Sequence, residues 1–564
     1  MNNNKIFLNC LYVAAFVSFI FILTISILLI FQRGQLNAAF PPDFKELEQM
    51  KETAKTGYAS LELQKMIRLL DLMSRRGWFL GQEWQKSAIR LLIGGAVFFI
   101  FCMSIIAAIR PVKIDMEMLK PEKRSPGFDS LALMVTASVC VITVNGVLYF
   151  SAVGAPGKEM TEPIVETKTI ASEEFKKNWP SFRGSNNDGI AIEHKTIFGW
   201  STNSKKGILW KTEIPLPGNS SPIVWENRLF ITGGDKSKRA LFCYDADAGK
   251  LLWTHEATGI IGSPAIAPEV GKETGYAAST PATDGNRVFA IFATGDLLAT
   301  DFTGKRIWAK NLDAPKNMYG YSSSLLVVRD RLIVQYDNNE KQILYCFDTA
   351  TGAIVWQQQR QTMVSWSSPT FFSFAKKELI LTLTCGEVAA FELASGKKEW
   401  TQKIMGGEVV PSATCHENLI FVANENAVSA AIDGLTGKLL WKNDKVVLPD
   451  VCSPVVFENM LFLFSSASSI SCLDTATGKL LWEKNVSQGF YSSPILLKDR
   501  IIAFDMKGNS LIIKPDRSDL IIEHQDSLGE SVLTTPAIVE NKMWVRGSAS
   551  LFNLEGAIEK NVGK

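Results

Sequence analysis

The 564-residue sequence predicts an all-β, eight-bladed β-propeller of four-stranded antiparallel blades, preceded by an α-helical transmembrane region. Three observations predict it. An acidic residue, a glycine three or four residues on and an aromatic four residues later recur as one phrase through the second part of the chain. A Ser/Thr-Pro step followed by an apolar run falls between successive copies. Three long uncharged apolar runs stand ahead of all of them.

The N-terminal runs are residues 6–31, 91–109 and 130–153, which are 26, 19 and 24 residues long and carry no charge. At about 1.5 Å per helical residue each is long enough for a hydrocarbon core of roughly 30 Å, so each is expected to span a membrane. The first exceeds the apolar region of a cleaved signal, about 7–15 residues. Arg110, Lys113, Lys120, Lys123 and Arg124 crowd the connection after the second run, which the positive-inside bias places in the cytoplasm. Alternation then puts everything after Val153 outside. The expected location is the bacterial inner membrane, multi-pass, with membrane lipid as one partner and the propeller on the periplasmic side.

Between the first two runs, Leu61, Met66, Leu69, Leu70 and Met73 recur at helical spacing, so residues 43–76 are expected to be helical, as a hairpin on the membrane face or a partner-binding helix. Residues 154–178 are polar and contain Pro156 and Pro163, the composition of a tether. The segment Asn178-Trp179-Pro180-Ser181-Phe182-Arg183-Gly184 holds too many aromatic and turn residues for a linker. It is expected to clasp the propeller, which occupies residues 179–564.

The repeat is clearest at Asp474-Thr475-Ala476-Thr477-Gly478-Lys479-Leu480-Leu481-Trp482. Asp474 can bond amides two residues on and start a turn. Gly478 supplies a left-handed position, and an apolar strand then ends in a large aromatic. The outer-strand tryptophans are Trp210, Trp253, Trp308, Trp356, Trp400, Trp441 and Trp482, spaced 41 to 55 residues apart, close to the period of a four-stranded blade. Each is expected to dock its own blade on the next. The interleaved Ser/Thr-Pro starts fall at 221, 280, 323, 368, 411, 453, 493 and 535, giving eight blades. The last lacks chain for a fourth strand, and the strand around Trp210 is expected to complete it and close the ring.

The Asp-x-x-Thr-Gly-Lys-x-x-Trp phrase at 433–441 and 474–482 resembles the tryptophan-docking motif of the pyrroloquinoline-quinone (PQQ) repeat propellers, and the phrase at 179–184 is similar to the segment that opens many of them. The resemblance covers about residues 179–560. It implies the propeller fold with tryptophans stacked between blades. For function it implies either a non-catalytic scaffold, like the lipoprotein of the outer-membrane barrel assembly machine, or a quinoprotein alcohol or sugar dehydrogenase.

Charge is balanced, with 59 basic and 57 acidic residues, which gives no case for nucleic acid as partner. Quinoprotein dehydrogenases need long chamber-building insertions, an Asp base and oxygen ligands for Ca²⁺, and many have adjacent cysteines. Blades of 41–44 residues leave little room for insertions, no two cysteines adjoin, and no Cys-x-x-Cys-His haem signature occurs. Cys243, Cys346 and Cys472 occupy one slot in three different blades, too far apart to pair, and read as buried apolar groups. His194, His255, His416 and His524 lack metal-ligand spacing, and His524 stands where a blade tryptophan is due. No catalytic residue, metal or cofactor is therefore expected. A ligand would meet the funnel at residues just before the Ser/Thr-Pro steps, namely Tyr321, Trp366, Glu408, Asp450 and Tyr491.

The leading expectation is a membrane-anchored, extracytoplasmic propeller acting as a non-enzymatic scaffold for envelope proteins. The alternatives are a PQQ- and calcium-dependent dehydrogenase feeding membrane quinone, and a small-molecule sensor at the funnel.

Overall fold

The computed structural model of the chain describes residues 172–191, 200, 206–317 and 319–556, together with Val17, Ile20, Thr24, Phe99 and Ile105. It forms two units, Met1–Glu166 and Thr167–Lys564. In the first unit the expected spans at 6–31, 91–109 and 130–153 lie outside the described residues apart from those five, as does the expected helix at 43–76. Among the described residues no helix is long and apolar enough to cross a membrane. The expected multi-pass inner-membrane location is corrected accordingly. An uncharged run records what solvent its side chains prefer, and that preference alone does not make a spanning helix.

In the second unit, eight four-stranded antiparallel sheets follow one another as the repeats predict. They cover residues 223–256, 282–311, 326–359, 370–402, 414–443, 455–485, 495–527 and 537–555, and are called blades 1 to 8. Blade 8 takes its outer strand from Ile208–Glu213, which pairs antiparallel with Ser550–Glu555. The orphan strand carrying Trp210 thus closes the ring, as its sequence position implied.

Strand character follows from position in the blade. The middle strands, such as Met460–Ser465, are buried along their whole length because neighbouring blades cover both faces. Outer strands are covered on one face, and Ile208–Glu213 alternates half-buried and exposed residues. Cys243, Cys346 and Cys472 sit on third strands directly opposite Trp253, Trp356 and Trp482. All three thiols are fully buried, and desolvation pushes each up to about 12. They are small core groups, as read from the sequence.

Each outer-strand tryptophan locks its blade to the next. The indole N–H of Trp441 donates to the Thr475 carbonyl at 2.7 Å, and that of Trp400 donates to Gly434 at 3.1 Å. Trp210, Trp253, Trp308, Trp356 and Trp482 make the same bond to Ala246, Phe302, Thr349, Leu393 and Asp516. The ring plane lies against the turn glycine of the receiving blade. A Cβ at Gly478 would stand 2.3 Å from Trp441, and Gly478 also has φ 68°. Glycine is required there by backbone conformation and by the neighbouring indole together.

Among the described residues, His524 marks the one junction without this latch. The acceptor is always the turn before the next blade's outer strand. Among the described residues, no continuous turn joins the third and outer strands of blade 8, since its outer strand comes from the other end of the domain.

Candidate functional site

The hub is built from the Ser/Thr steps that start each inner strand. The amide of Ser221 donates to the hydroxyl of Thr280 at 2.9 Å, and the amide of Thr280 donates to Ser324 at 3.1 Å. The relay continues from Ser324 to Ser368, Ser412, Ser453, Ser493 and Thr535. It closes where Thr535 donates back to Ser221 at 3.0 Å. Eight hydroxyls and eight amides form one continuous circle, and each member is buried. Two expected blade starts shift by one residue, from 323 to Ser324 and from 411 to Ser412. The constant 44-residue spacing of Thr280, Ser324, Ser368 and Ser412 is the signal that identifies them.

One side of this circle, toward the end of the inner strands, is crossed by the segment 178–190. A helix, α1 (Ser172–Lys176), leads into it, and Phe175 packs edge-on to Trp225 of blade 1 at 5.1 Å. This helix therefore lies inside the stretch read as tether. The backbone of Trp179 bonds Val224 of blade 1 in both directions at 2.9 Å, and the Pro180 carbonyl accepts from Thr283 of blade 2. The Asn186 carbonyl accepts from Phe371 of blade 4, and the Asn187 amide group donates to the Pro369 carbonyl at 2.9 Å. The Arg183 guanidinium donates to Ala413 of blade 5 at 3.2 Å, Pro454 of blade 6 at 2.6 Å and Asp188 at 2.8 Å, all backbone carbonyls. The segment ends with Ala191 on Leu496 of blade 7.

Arg183 is fully buried with φ 59°. Desolvation pulls its guanidinium below the usual arginine value, against the nearby Asp188 carboxylate, which burial itself raises. The expected clasp is thus a strap whose arginine ties the inner strands of two blades to itself. Its chemistry is structural, since its donors are aimed at main-chain carbonyls.

The other side of the circle is the mouth. Counting back from each circle residue, the first position is buried in every blade. The second is half-buried in every blade but one, as Asn219, Ala278, Ser322, Val410, Val451, Tyr491 and Leu533, while Trp366 is buried. The second position is thus the one that keeps partial contact with solvent in seven of the eight blades.

This register sorts the five residues expected at the funnel. Trp366 and Tyr491 occupy the second position and Glu408 the fourth. Asp450, at the third, accepts from the Ser466 amide at 3.1 Å and from its hydroxyl. Tyr321, also at the third, is a core residue, 2 % exposed, donating to the Gln335 carbonyl at 3.1 Å. The sequence reading missed Tyr319. Its ring lies 5.4 Å from that of Trp366, and its hydroxyl meets the Glu408 carboxylate at 3.3 Å. Trp366 is fixed by its indole N–H on the Gly320 carbonyl and its amide on Val409. The loops entering blades 3, 4 and 5 therefore converge on an aromatic pair beside a carboxylate. A separate cavity of about 580 Å³, lined in part by Lys211, Ile214, Pro217 and Ser548, lies on blade 8 and contains none of these residues.

The fold class makes PQQ with a calcium ion the cofactor to test against this site. PQQ is a tricarboxylate and needs cationic partners, and calcium needs several converging oxygens. No lysine or arginine occurs at the four positions before the circle in any blade, and the acids there are Glu408 and Asp450. Among the described residues no three His, Cys, Asp or Glu side chains come together to hold a metal. The mouth does not fit the group.

A family model described as "Outer membrane protein assembly factor BamB" matches at residues 190–321, 243–413, 340–455 and 424–552. Tetrathionate hydrolase of Acidithiobacillus ferrooxidans is 24% identical over 336 residues, which is 50% of this chain and 62% of the relative's own length. The quinohemoprotein alcohol dehydrogenase of Comamonas testosteroni superposes with a TM-score of 0.53 at 11% identity, over 69% of this chain and 82% of that one. A europium-containing methanol dehydrogenase gives 0.51 at 12% identity, over 67% and 92%. These two share the fold. The family matches together take in more than half of the sequence, and the chain belongs to the PQQ-repeat family described as outer membrane protein assembly factor BamB.

Proposed function

We propose that this propeller is a non-enzymatic interaction scaffold that holds a partner protein at the mouth of its hub. The observation that carries the reading is how the polar groups of the hub are used. The inner-strand hydroxyls bond one another in the circle, and the strap's arginine is taken up by backbone carbonyls. What faces solvent at the second position is chiefly small or apolar, a surface for contact with few groups free to do chemistry.

The test is to offer the full chain the alternatives. Titration with PQQ and Ca²⁺ is expected to give no saturable quinone absorbance and no dye reduction with alcohols or sugars. Tetrathionate, the substrate named for the curated relative, is expected to be left intact. Saturable quinone uptake or turnover of either kind would overturn the scaffold reading.

A further inference from the structure

We propose that the junction between blades 8 and 1 holds a site for a small oxyanion, a carboxylate or phosphate group, bound by the free edge of the Arg546 guanidinium beside Gly218. The site is independent of the scaffold reading. Its first support is an unbalanced charge. Among the described residues four arginines are buried, Arg183, Arg287, Arg360 and Arg546. Three of them have an acid at hand. Arg183 lies beside the Asp188 carboxylate, Arg287 meets Asp284 at 2.7 Å, and Arg360 pairs with Asp337. Arg546, 1 % exposed, has none. The titratable group that acts on its charge is Tyr244, whose hydroxyl burial pushes up to about 12 and so keeps neutral. Desolvation pulls the guanidinium down to about 9, and it remains a cation at neutral pH. Burying a charge with no counter-charge is unfavourable, and a bound anion would relieve it.

The second support is the geometry of the free edge. All three hydrogen bonds of Arg546 leave from Nη1, to the Ser220 carbonyl at 3.2 Å, the Ser220 hydroxyl at 2.7 Å and the Thr232 carbonyl at 2.7 Å. Its Nε is buried without a partner. Its Nη2 is turned to Gly218, where a Cβ would stand 3.0 Å away. Gly218 is at the third position before the circle residue, the position that points into the core at Tyr321. Blade 1 is the one blade with glycine there, so no side chain covers the guanidinium from that position. Gly218 is half-buried, so solvent reaches the backbone that Nη2 faces. A guanidinium offers donors and no acceptor, which an oxyanion matches in both charge and hydrogen bonding.

The experiment titrates the full chain with inorganic phosphate, acetate and hexaglutamate by calorimetry at constant ionic strength. Saturable binding is expected, with a melting temperature that rises with occupancy. Arg546→Met removes the charge, and Gly218→Ala keeps it while setting a methyl 3.0 Å from Nη2 and from the Ala277 carbonyl. Each is expected to lose about tenfold or more in affinity. Arg306→Met changes an exposed arginine on the outer strand of blade 2 and is expected to bind as the parent does. Circular dichroism establishes which variants are folded, and a crystal of the parent grown in phosphate gives a readout free of any variant, with the anion expected on Nη2. Binding of hexaglutamate alone, lost in Gly218→Ala, would assign the oxyanion to a partner protein's carboxylate; binding of phosphate or acetate would assign it to a free anion. Refusal of all three by the parent would overturn the proposal. So would parent-like affinity in a folded Arg546→Met or Gly218→Ala, or a water on Nη2 in the phosphate crystal.

Discussion

The amide of Thr535 donates to the hydroxyl of Ser221 at 3.0 Å across 314 positions of sequence, and this bond completes the circle around the hub. Every circle member gives one hydrogen bond and accepts one, so removing a hydroxyl strands a buried amide next door. Thr535→Val keeps the shape and deletes the acceptor for Ser493. It is expected to lower stability by about 1–3 kcal/mol, with Thr535→Ser nearly neutral, as read by urea unfolding.

The latch glycines offer a graded test of sterics. Gly478→Ala would force a methyl to 2.3 Å from Trp441 at φ 68°, and Gly437→Ala would force one to 2.4 Å from Trp400 at φ 72°. Gly386, at φ 108°, has nothing within 4 Å of a built Cβ. Thermal melts should show Gly386→Ala costing about 1 kcal/mol and the latch variants clearly more, since they add a clash to the backbone strain.

Trp441→Leu removes an indole that bonds Thr475 and packs on Phe421 at 6.2 Å. A loss of about 2–4 kcal/mol is expected. His524→Trp should restore nothing, because the third and outer strands of blade 8 are not joined by the continuous turn that receives the ring elsewhere. A stabilising His524→Trp would refute the account of why that position escapes the motif.

The turn aspartates link stability to acid. Arg517 and then the Thr477 hydroxyl hold the Asp474 carboxyl below the usual carboxylate range. The folded chain therefore binds that proton more weakly than the unfolded one. The contribution is complete above the ordinary aspartate value of about 4 and is lost as pH falls through the lowered folded value. The advantage of the parent over Asp474→Asn in melting temperature should be constant near neutrality and shrink in acid. An advantage unchanged in acid would rule out this cause.

Arg183 is the strap's main tie. Arg183→Met removes the guanidinium's bonds to the Pro454 carbonyl and to the Ala413 carbonyl, which keeps only the Thr370 hydroxyl, and is expected to cost about 2–4 kcal/mol. Arg183→Lys should recover little, because one ammonium cannot span carbonyls on two blades in the fixed spread of a guanidinium.

The sequence made the blades legible because each blade must solve the same problem: a turn with a left-handed residue, a tryptophan over it and a hydroxyl at the hub. The closing strand was legible at Trp210 for the same reason. Less legible was register at the hub. Ser323 and Ser324 are chemically alike, and only the 44-residue spacing separates them. That single step moves Tyr321 from the mouth into the core. Tyr319 escaped because its role depends on Trp366 and Glu408, which come from two other loops. The strap's path across the hub was equally hidden, since Arg183 reaches partners 230 and 271 residues away.

The strap has a further consequence. A wheel whose axle hole is barred by its own chain is a cul-de-sac. With the strap bonded to inner strands of blades 1, 2 and 4 to 7, a partner approaching the hub from that side meets the protein's own chain first.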